Sequence, residues 1–447
     1  MASLTDISTL DVLVNEVLSS PTKYLTVLAP MIPGVGHIIN LLISKVDFYP
    51  YLLKDKKHPI VTIPLADNKI YVLTSPRLIQ AAMRSKSLSS EPFLLEHSQD
   101  LLGMTDDEFA LVQKSVPDLI RAVHGSMVSE HLHAMNATVL KYIADEINAI
   151  GSFSLPSLDV NNTWIWIRNL TTMATTKAMF GHRNPFHFNP LLVDDLCPRS
   201  VTARARLQAA LQKYYAARLD DGPDVSQIMR ARAELLPLIE ESLTPASASE
   251  GSNGMRQATV NVSVLEDRAP FLVSCLRETN RLYNHAVIVR RVIADTQLSS
   301  SSDCGTAYLL KKGADVHTPA GVVHRLPEVW GPAADEFQAD RFLGGATGTE
   351  ADDRTRKAAI MPFGGGLHLC PGRDFAFAES LGLMVALVVG YDVRGLGDGP
   401  GLVPVPRAVT VGLGHKIAKP VGVGVGLRVS ITRRKGWEDV KWRYISL

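Results

Sequence analysis

Cysteine is scarce in this sequence, which has four cysteines among 447 residues. They are Cys197, Cys275, Cys304 and Cys370, and no two of them form a C-x-x-C pair. Disulfide frameworks and structural zinc sites need several closely spaced ligands, so this spacing argues against both kinds of site. A reducing compartment is therefore the expected environment of the protein.

An excess of one charge is also lacking. Lys and Arg number 46 and Asp and Glu number 45, which gives a net charge of +1. Without a basic surplus, the sequence predicts no nucleic-acid partner. The polar N-terminal stretch shows no signal peptide. Prolines and glycines interrupt the early apolar run YLTVLAPMIPGVGHIINLLI, which makes it a poor transmembrane anchor.

Hydrophobic periodicity predicts a mainly α-helical protein with a minor β portion. Apolar residues three and four apart indicate helices in HAMNATVLKYIADEI, IWIRNLTTMATTKAMFG and RARLQAALQKYYAARL. The run IVTIPLADNKIYVL predicts a β-hairpin, and Ser75 and Pro76 predict the start of the helix after it. Three polar ranges rich in small residues predict surface loops, at 243–260, 296–306 and 345–355.

The stretch MPFGGGLHLCPGRDFAFAES, residues 361–380, places Cys370 just after three glycines. A phosphatase-type nucleophile needs an arginine six residues further on, where this chain has Ala376, and no phosphate-binding G-x-x-x-x-G-K-[ST] string occurs. A thiolate ligand to haem iron fits better. The helical period after Pro371 predicts a helix N-terminus near the cysteine, where the dipole stabilises a thiolate. The alternative is a small buried hydrophobic residue.

The same stretch matches a known signature. Phe363, Gly366, His368, Cys370 and Gly372 match F-x-x-G-x-[RH]-x-C-x-G, the cysteine-loop signature of the cytochrome P-450 family. The resemblance extends over nearly the whole chain and implies one P-450-like domain over residues 1–447. It implies haem b as the cofactor, with Cys370 as the axial thiolate ligand and His368 in contact with a haem propionate.

Two further family motifs resemble segments of this chain. Glu278 and Arg281 form the family's E-x-x-R motif on a helix, where a spacing of three puts both on one face. Arg341 in QADRF matches the arginine that completes a structural Glu-Arg-Arg triad. By the residues alone, such a helical pair is more often a solvated ion pair.

The haem propionates need cationic partners. In the strand-like run AVIVRRVIA, Arg290 matches the family's propionate-pairing arginine, and guanidinium groups suit carboxylates. For the partner that the family takes from an early helix, the candidates are Arg121 and His124. Ordinary surface charge explains these two equally well.

The resemblance implies a haem-thiolate monooxygenase. Electrons would come from an NADPH-dependent reductase, and one atom of dioxygen would enter an apolar small molecule such as a sterol, lipid or secondary metabolite. The cysteine loop most resembles that of fungal members. A haem-thiolate isomerase that acts on peroxides and a non-catalytic haem-binding remnant are the alternatives. The sequence leaves membrane attachment open, so the location is either the cytoplasm or the cytoplasmic face of the endoplasmic reticulum.

One family feature is missing. The long central helix over the distal haem face, with its A-G-x-x-T patch, should lie some tens of residues before Glu278. The sequence there reads DGPDVSQIMRARAELLPLIEESL and contains neither. We therefore expect a fold that is incomplete on the distal haem side, with two internal pieces absent. Weak or absent monooxygenase turnover is the expected consequence, because water would enter an open site.

Overall fold

The computed structural model describes most of the chain, with gaps. The described ranges are 44–54, 58–65, 68–102, 104–181, 256–299, 306–343, 350–396, 408–412, 415–418, 427–435 and 437–445, together with His37 and Leu41. The predicted helix RARLQAALQKYYAARL and the segment expected to lack the central helix lie outside these residues. Within the described part, no helix is both long and apolar enough to cross a membrane.

Helices make up most of the regular structure, as the sequence predicts. The α-helices are α1 (Phe48–Leu53), α2 (Pro76–Arg84), α3 (Glu91–Leu102), α4 (Asp106–Ser126), α5 (Ser129–Ala149), α6 (Thr163–Phe180), α7 (Leu265–Arg268), α8 (Pro270–Tyr283), α9 (Ala320–Val323), α10 (Pro327–Trp330), α11 (Glu350–Ala359) and α12 (Arg373–Gly390). Short 3-10 helices cover Lys45–Asp47, Val262–Val264 and Gly366–His368.

The β portion consists of short strands. They are β1 (Ile60–Pro64), β2 (Lys69–Leu73), β3 (Leu88–Ser89), β4 (Ser157–Val160), β5 (Arg256–Asn261), β6 (Val287–Val292), β7 (Thr296–Ser299), β8 (Ala307–Leu310), β9 (Asp315–Pro319), β10 (Tyr391–Gly395), β11 (Ala408–Gly412), β12 (His415–Ala418), β13 (Val429–Arg433) and β14 (Val440–Ile445). The prediction of a mainly α fold with a minor β part is confirmed.

The chain divides into two compact units, and the first combines residues up to 94 with 277–369 and 408–418. Its main sheet has the order β1-β2-β9-β6-β3, with β2 and β9 parallel and the other neighbours antiparallel. Leu73, Leu78, Val316 and Trp330 are in the core beside this sheet. The expectation of a single domain stays a prediction.

The second unit contains residues 95–276, 370–407 and 419–447. Helices α5, α6 and α12 pack with a three-stranded sheet of order β10-β13-β4. A buried apolar cluster joins them and includes Ile143, Ala174, Tyr391 and Trp442. Burial of such side chains contributes about 1.5–3 kcal/mol each, so this cluster stabilises the helical layer around α12.

The predicted hairpin and the helix after it are confirmed. β1 and β2 pair in antiparallel register from Ile60 opposite Leu73 to Pro64 opposite Lys69. The Ser75 side chain then accepts a hydrogen bond from the Leu78 N–H and caps α2. The helix predictions for residues 133–147 and 165–181 are also confirmed, by α5 and by α6, which ends at Phe180.

The three predicted loops are wrong in part. In the range 243–260, residues 256–260 belong to β5, which pairs in parallel with β14 far along the chain. In 296–306, residues 296–299 form β7, paired with β8. In 345–355, residues 350–355 begin α11. The small and polar residues of these ranges suggested loops. However, α11 contains good helix formers, and β5 and β7 form because they pair with other strands.

The helix after Cys370 begins slightly later than predicted. Gly372 is the N-cap of α12, and Arg373 is its first helical residue, so Pro371 lies in the turn before the helix. Val388 in this helix is 57% exposed. Its buried residues include Phe375, Ala378, Leu381 and Leu383, because the helix packs against α5 and β14 with the face that carries them.

Candidate functional site

The structure brings Glu278, Arg281 and Arg341 together in the first unit. Arg281 donates from Nε to Glu278 Oε2 at 2.7 Å and from Nη2 to Oε1 at 2.8 Å. Arg341 donates from Nε to the same Oε1 at 3.0 Å. Glu278 and Arg281 are fully buried and the Arg341 side chain is 8% exposed. The solvated ion pair that the spacing alone suggested is therefore wrong.

The two arginines also hold backbone carbonyls. Arg281 Nη1 donates to the carbonyl oxygens of His324 and Ala334. Arg341 donates from Nη1 to Trp330 O and from Nη2 to Ala333 O, each at 2.9 Å. One carboxylate on α8 thus organises the loops that follow α9 and α10. Every buried donor that the triad uses here has an acceptor, as buried charge requires.

The charge state of Glu278 follows from these contacts. Burial by itself would raise the pKa of the Glu278 carboxyl. Hydrogen bonds from the Arg281 side chain, the Gln338 N–H and the Arg341 side chain outweigh that effect and lower the pKa below its ordinary value. The carboxylate is therefore ionised at neutral pH, and the triad is a charged unit.

The start of the cysteine loop has two partners that sequence reasoning missed. The Met361 N–H donates to His324 Nε2 at 3.0 Å, and His324 Nδ1 lies 2.9 Å from the Arg281 carbonyl oxygen. Asn284 Nδ2 donates to Pro362 O at 2.7 Å. A single sequence gives no indication of these contacts. His324 and Asn284 both bind backbone groups far along the chain, and any residue type can supply such a group.

Two glycines of the loop have a left-handed backbone, with φ +77° at Gly364 and φ +61° at Gly366. A Cβ at Gly366 would overlap the carbonyl oxygen of Met83 in α2, whereas a Cβ at Gly364 would only touch His368 O at 3.6 Å. The glycine that the family signature fixes is thus the one at which the loop lies directly against another helix.

Replacing these two glycines separates backbone strain from crowding. Gly364→Ala should lower the free energy of unfolding by about 1–2 kcal/mol, the cost of a left-handed alanine. Gly366→Ala should cost about 1–3 kcal/mol more, because the added methyl displaces α2 or the loop. Chemical denaturation of the two variants measures the difference. Equal losses would show that the close approach to Met83 does not matter.

Arg290 is a buried cation without an acidic partner in the part of the chain described. It is 6% exposed on β6. Its Nη1 donates to the carbonyl oxygen of the adjacent Val289, its Nη2 lies 3.7 Å from the Met83 sulfur, and its Nε has no partner. Burial lowers the pKa of Arg290 to about 10. The side chain remains charged and lies against the same Met83 that the glycine loop contacts.

The other predicted residues divide between the units. Phe363 and His368 belong to the first unit, with both side chains half-buried. Cys370 belongs to the second unit, has an exposed thiol, and lies about one turn before α12, with Sγ 4.0 Å from the Cβ position of Gly372. His124 lies in the last turn of α4, also in the second unit.

Arg121 was the alternative to His124. It is mostly solvent-exposed and pairs with Asp118 on the same helix at 2.7 Å. This is the geometry that the surface-charge interpretation predicts. His124 remains the candidate for the second propionate partner, as a prediction.

Comparison with known proteins decides the family. The cytochrome P450 sequence pattern matches residues 263–400, which include the triad, Arg290 and the cysteine loop. A cytochrome P450 monooxygenase of the fungus Gibberella zeae is 31% identical, over 94% of this chain and 91% of its own length. This chain belongs to the cytochrome P450 family. A P450 monooxygenase of Hypoxylon pulicicidum is 24% identical over 93% and 91%.

The two P450 alignments also bear on the expectation that two internal pieces are absent. They extend over 481 and 484 residues, which exceeds the 447 residues of this chain. Each relative therefore has residues at positions where this P450 has none. A third relative, a bifunctional cytochrome P450/NADPH–P450 reductase of Alternaria alternata, is 28% identical over 47% of this chain and 17% of its own length.

The P450 family binds haem through a cysteine thiolate, and the residues present fit that group. Haem carries two propionates, and Arg290 is a buried guanidinium whose Nε lacks an acceptor. The Cys370 thiol is exposed and lies just before a helix N-terminus. Both the metal ligand and one counter-charge that haem needs are thus available in this chain.

Proposed function

We propose that this P450 binds haem b with Cys370 as the axial thiolate and with Arg290 and His368 at the propionates. The observation that carries the proposal is Arg290. A buried guanidinium without a carboxylate partner costs free energy unless an anion binds it. A propionate supplies that anion with bidentate geometry. His124 is the proposed partner of the other propionate.

The residues of this chain have separate tasks in that site. Bound haem supplies dioxygen activation and the transfer of one oxygen atom to a substrate. Cys370 would hold the iron through its sulfur. The triad of Glu278, Arg281 and Arg341 holds the loops of the first unit, and Gly366 keeps the cysteine loop against α2.

For the overall reaction, we propose monooxygenation of an apolar small molecule such as a sterol, lipid or secondary metabolite. An NADPH-dependent reductase would supply the electrons. The Alternaria relative, named as a P450 joined to its reductase, supports that partner. The two long alignments support missing internal pieces, so we expect low turnover even with haem bound.

The ferrous–CO absorbance spectrum tests the haem site. The purified full chain reconstituted with haem should give a band of the thiolate type. Cys370→Ala should lose that band completely, because no other described residue is proposed to ligate the iron. Cys275→Ala is the matched control and should keep it. A wild-type chain without the band, or a Cys370→Ala variant that retains it, would overturn the proposal.

Turnover then separates the reactions. Product formation that needs NADPH, the reductase and dioxygen supports the monooxygenase. Turnover of a peroxide without reductase would instead support a haem-thiolate isomerase. The thiolate-type band with neither activity would identify a haem-binding remnant.

A further inference from the structure

We propose that His324 and Asn284 are positioning residues that fix the backbone of Met361 and Pro362, and so keep the cysteine loop competent to present Cys370 as a ligand. The first part concerns the backbone of the first unit and stands without haem. The second part rests on the proposed function. Neither residue belongs to the cysteine-loop signature or to the Glu-Arg-Arg triad.

His324 uses both ring nitrogens. The Met361 N–H donates to Nε2, so Nε2 must be the unprotonated acceptor, and Nδ1 must then carry the proton and donate to the Arg281 carbonyl oxygen. The ring is fully buried, and burial lowers its pKa to about 3, outweighing the hydrogen bond to the Arg281 backbone, which raises it. The neutral tautomer that the two hydrogen bonds require is therefore stable at ordinary pH.

The hydrogen bond from His324 to the Arg281 carbonyl oxygen connects the cysteine loop to the triad. Its guanidinium belongs to the triad, while its carbonyl oxygen, near the end of α8, accepts from His324. His324 O in turn accepts from Arg281 Nη1. Arg281 and His324 are thus joined in both directions, and Met361 is attached to that pair. The histidine extends the rigidity of the buried triad to the first residue of the cysteine loop.

Asn284 fixes the next residue. Its Nδ2 donates to Pro362 O at 2.7 Å, and its Oδ1 accepts from the Ala286 N–H at 3.0 Å. The second hydrogen bond settles which end of the amide faces Pro362, because only the oxygen can accept. Proline lacks an N–H, so its carbonyl oxygen is the backbone group through which a hydrogen bond can hold this residue.

The loop needs such anchors because of its own sequence. Three consecutive glycines lose more conformational freedom on ordering than any other residues, and two of them have a positive φ. Within the part described, the Gly364 N–H donates to Met361 O and the Leu369 N–H donates to Gly366 O. A displacement of Met361 therefore also displaces Leu369 at the other end of this short loop, and Leu369 is covalently bonded to Cys370.

Two substitutions of His324 each keep a different one of its two side-chain hydrogen bonds. In His324→Gln the side-chain oxygen reaches the position of Nε2 and can accept from the Met361 N–H. In His324→Asn the amide nitrogen takes the position of Nδ1 and keeps only the Arg281 carbonyl. Asn284→Asp is nearly isosteric, keeps the Ala286 contact and replaces the donor to Pro362 O by an acceptor.

Hydrogen–deuterium exchange of the Met361 amide in the full chain gives the direct measurement. We expect exchange about tenfold faster in His324→Asn and close to wild type in His324→Gln, since one hydrogen bond is lost only in the former. Asn284→Asp should also speed exchange at Met361 and Gly364. In the haem-reconstituted chain, His324→Asn and Asn284→Asp should lower the thiolate-type fraction of the ferrous–CO spectrum at least about twofold, while His324→Gln restores it.

Hydrogen–deuterium exchange and the ferrous–CO spectrum test the two parts of the proposal independently. Wild-type exchange at Met361 in both His324→Asn and Asn284→Asp would overturn the anchoring. Faster exchange with an unchanged thiolate fraction would overturn the effect on Cys370. If the wild-type chain gives no thiolate-type band, the proposed haem function fails, and the exchange rates alone then decide whether these residues anchor the loop. Far-UV circular dichroism must match wild type for each variant, which separates local loosening from unfolding.

Discussion

Replacing Glu278 by glutamine should lower the free energy of unfolding by about 3–5 kcal/mol. The carboxylate accepts from Arg281, Arg341 and the Gln338 N–H with two oxygens, and Glu278 itself is fully buried. An amide keeps one oxygen and turns its NH₂ toward a donor, and it leaves two buried guanidinium groups without a counter-charge. Urea denaturation at neutral pH measures the loss.

The chain contains a matched control for this substitution. Asp118 and Arg121 have the same acid-to-arginine spacing of three on α4, with a distance of 2.7 Å, but their side chains are 64% and 77% exposed. Asp118→Asn should change stability by no more than about 0.5 kcal/mol. If the two acid-to-amide changes cost the same, burial is not what makes the triad important for stability.

The site residues that the sequence predicted are those that belong to motifs with a fixed residue spacing. The cysteine-loop signature is local, so Cys370, Gly366 and Gly372 could be identified from ten consecutive residues. The triad needed a family resemblance, since Glu278 and Arg341 are 63 positions apart and their burial depends on packing. Periodicity identified α5, α6 and the first hairpin because each is determined by neighbouring residues.

Other features depend on partners that no local pattern shows. β5 exists because β14, almost two hundred residues later, pairs with it in parallel. β7 is short and requires β8 beyond a polar stretch. His324 acts on backbone groups of Arg281 and Met361, and hydrogen bonds to backbone leave no complementary side chain to recognise. The sequence could therefore predict ligands and charges, but not the groups that hold their backbone.

Acid should destabilise the fold well above the pH at which carboxylates titrate. Burial lowers the pKa of His324 to about 3 and that of His317 to about 4, from an ordinary value of 6.5. Both rings are neutral when folded, and the unfolded chain binds protons more readily. Their stabilising contribution is therefore complete above about pH 6.5 and is lost as the pH falls toward the folded-state pKa values.

The expected loss is about 2 kcal/mol for each histidine between about pH 7 and about pH 5. Glu278, whose pKa is lowered, loses its contribution only below its ordinary value of 4.5, so it adds little in this range. Denaturant titrations across the range measure the slope. His324→Gln cannot titrate but keeps the acceptor for Met361, so its loss of stability over this range should be about 2 kcal/mol smaller than that of wild type. A variant profile parallel to wild type would show that folding does not lower the pKa of His324.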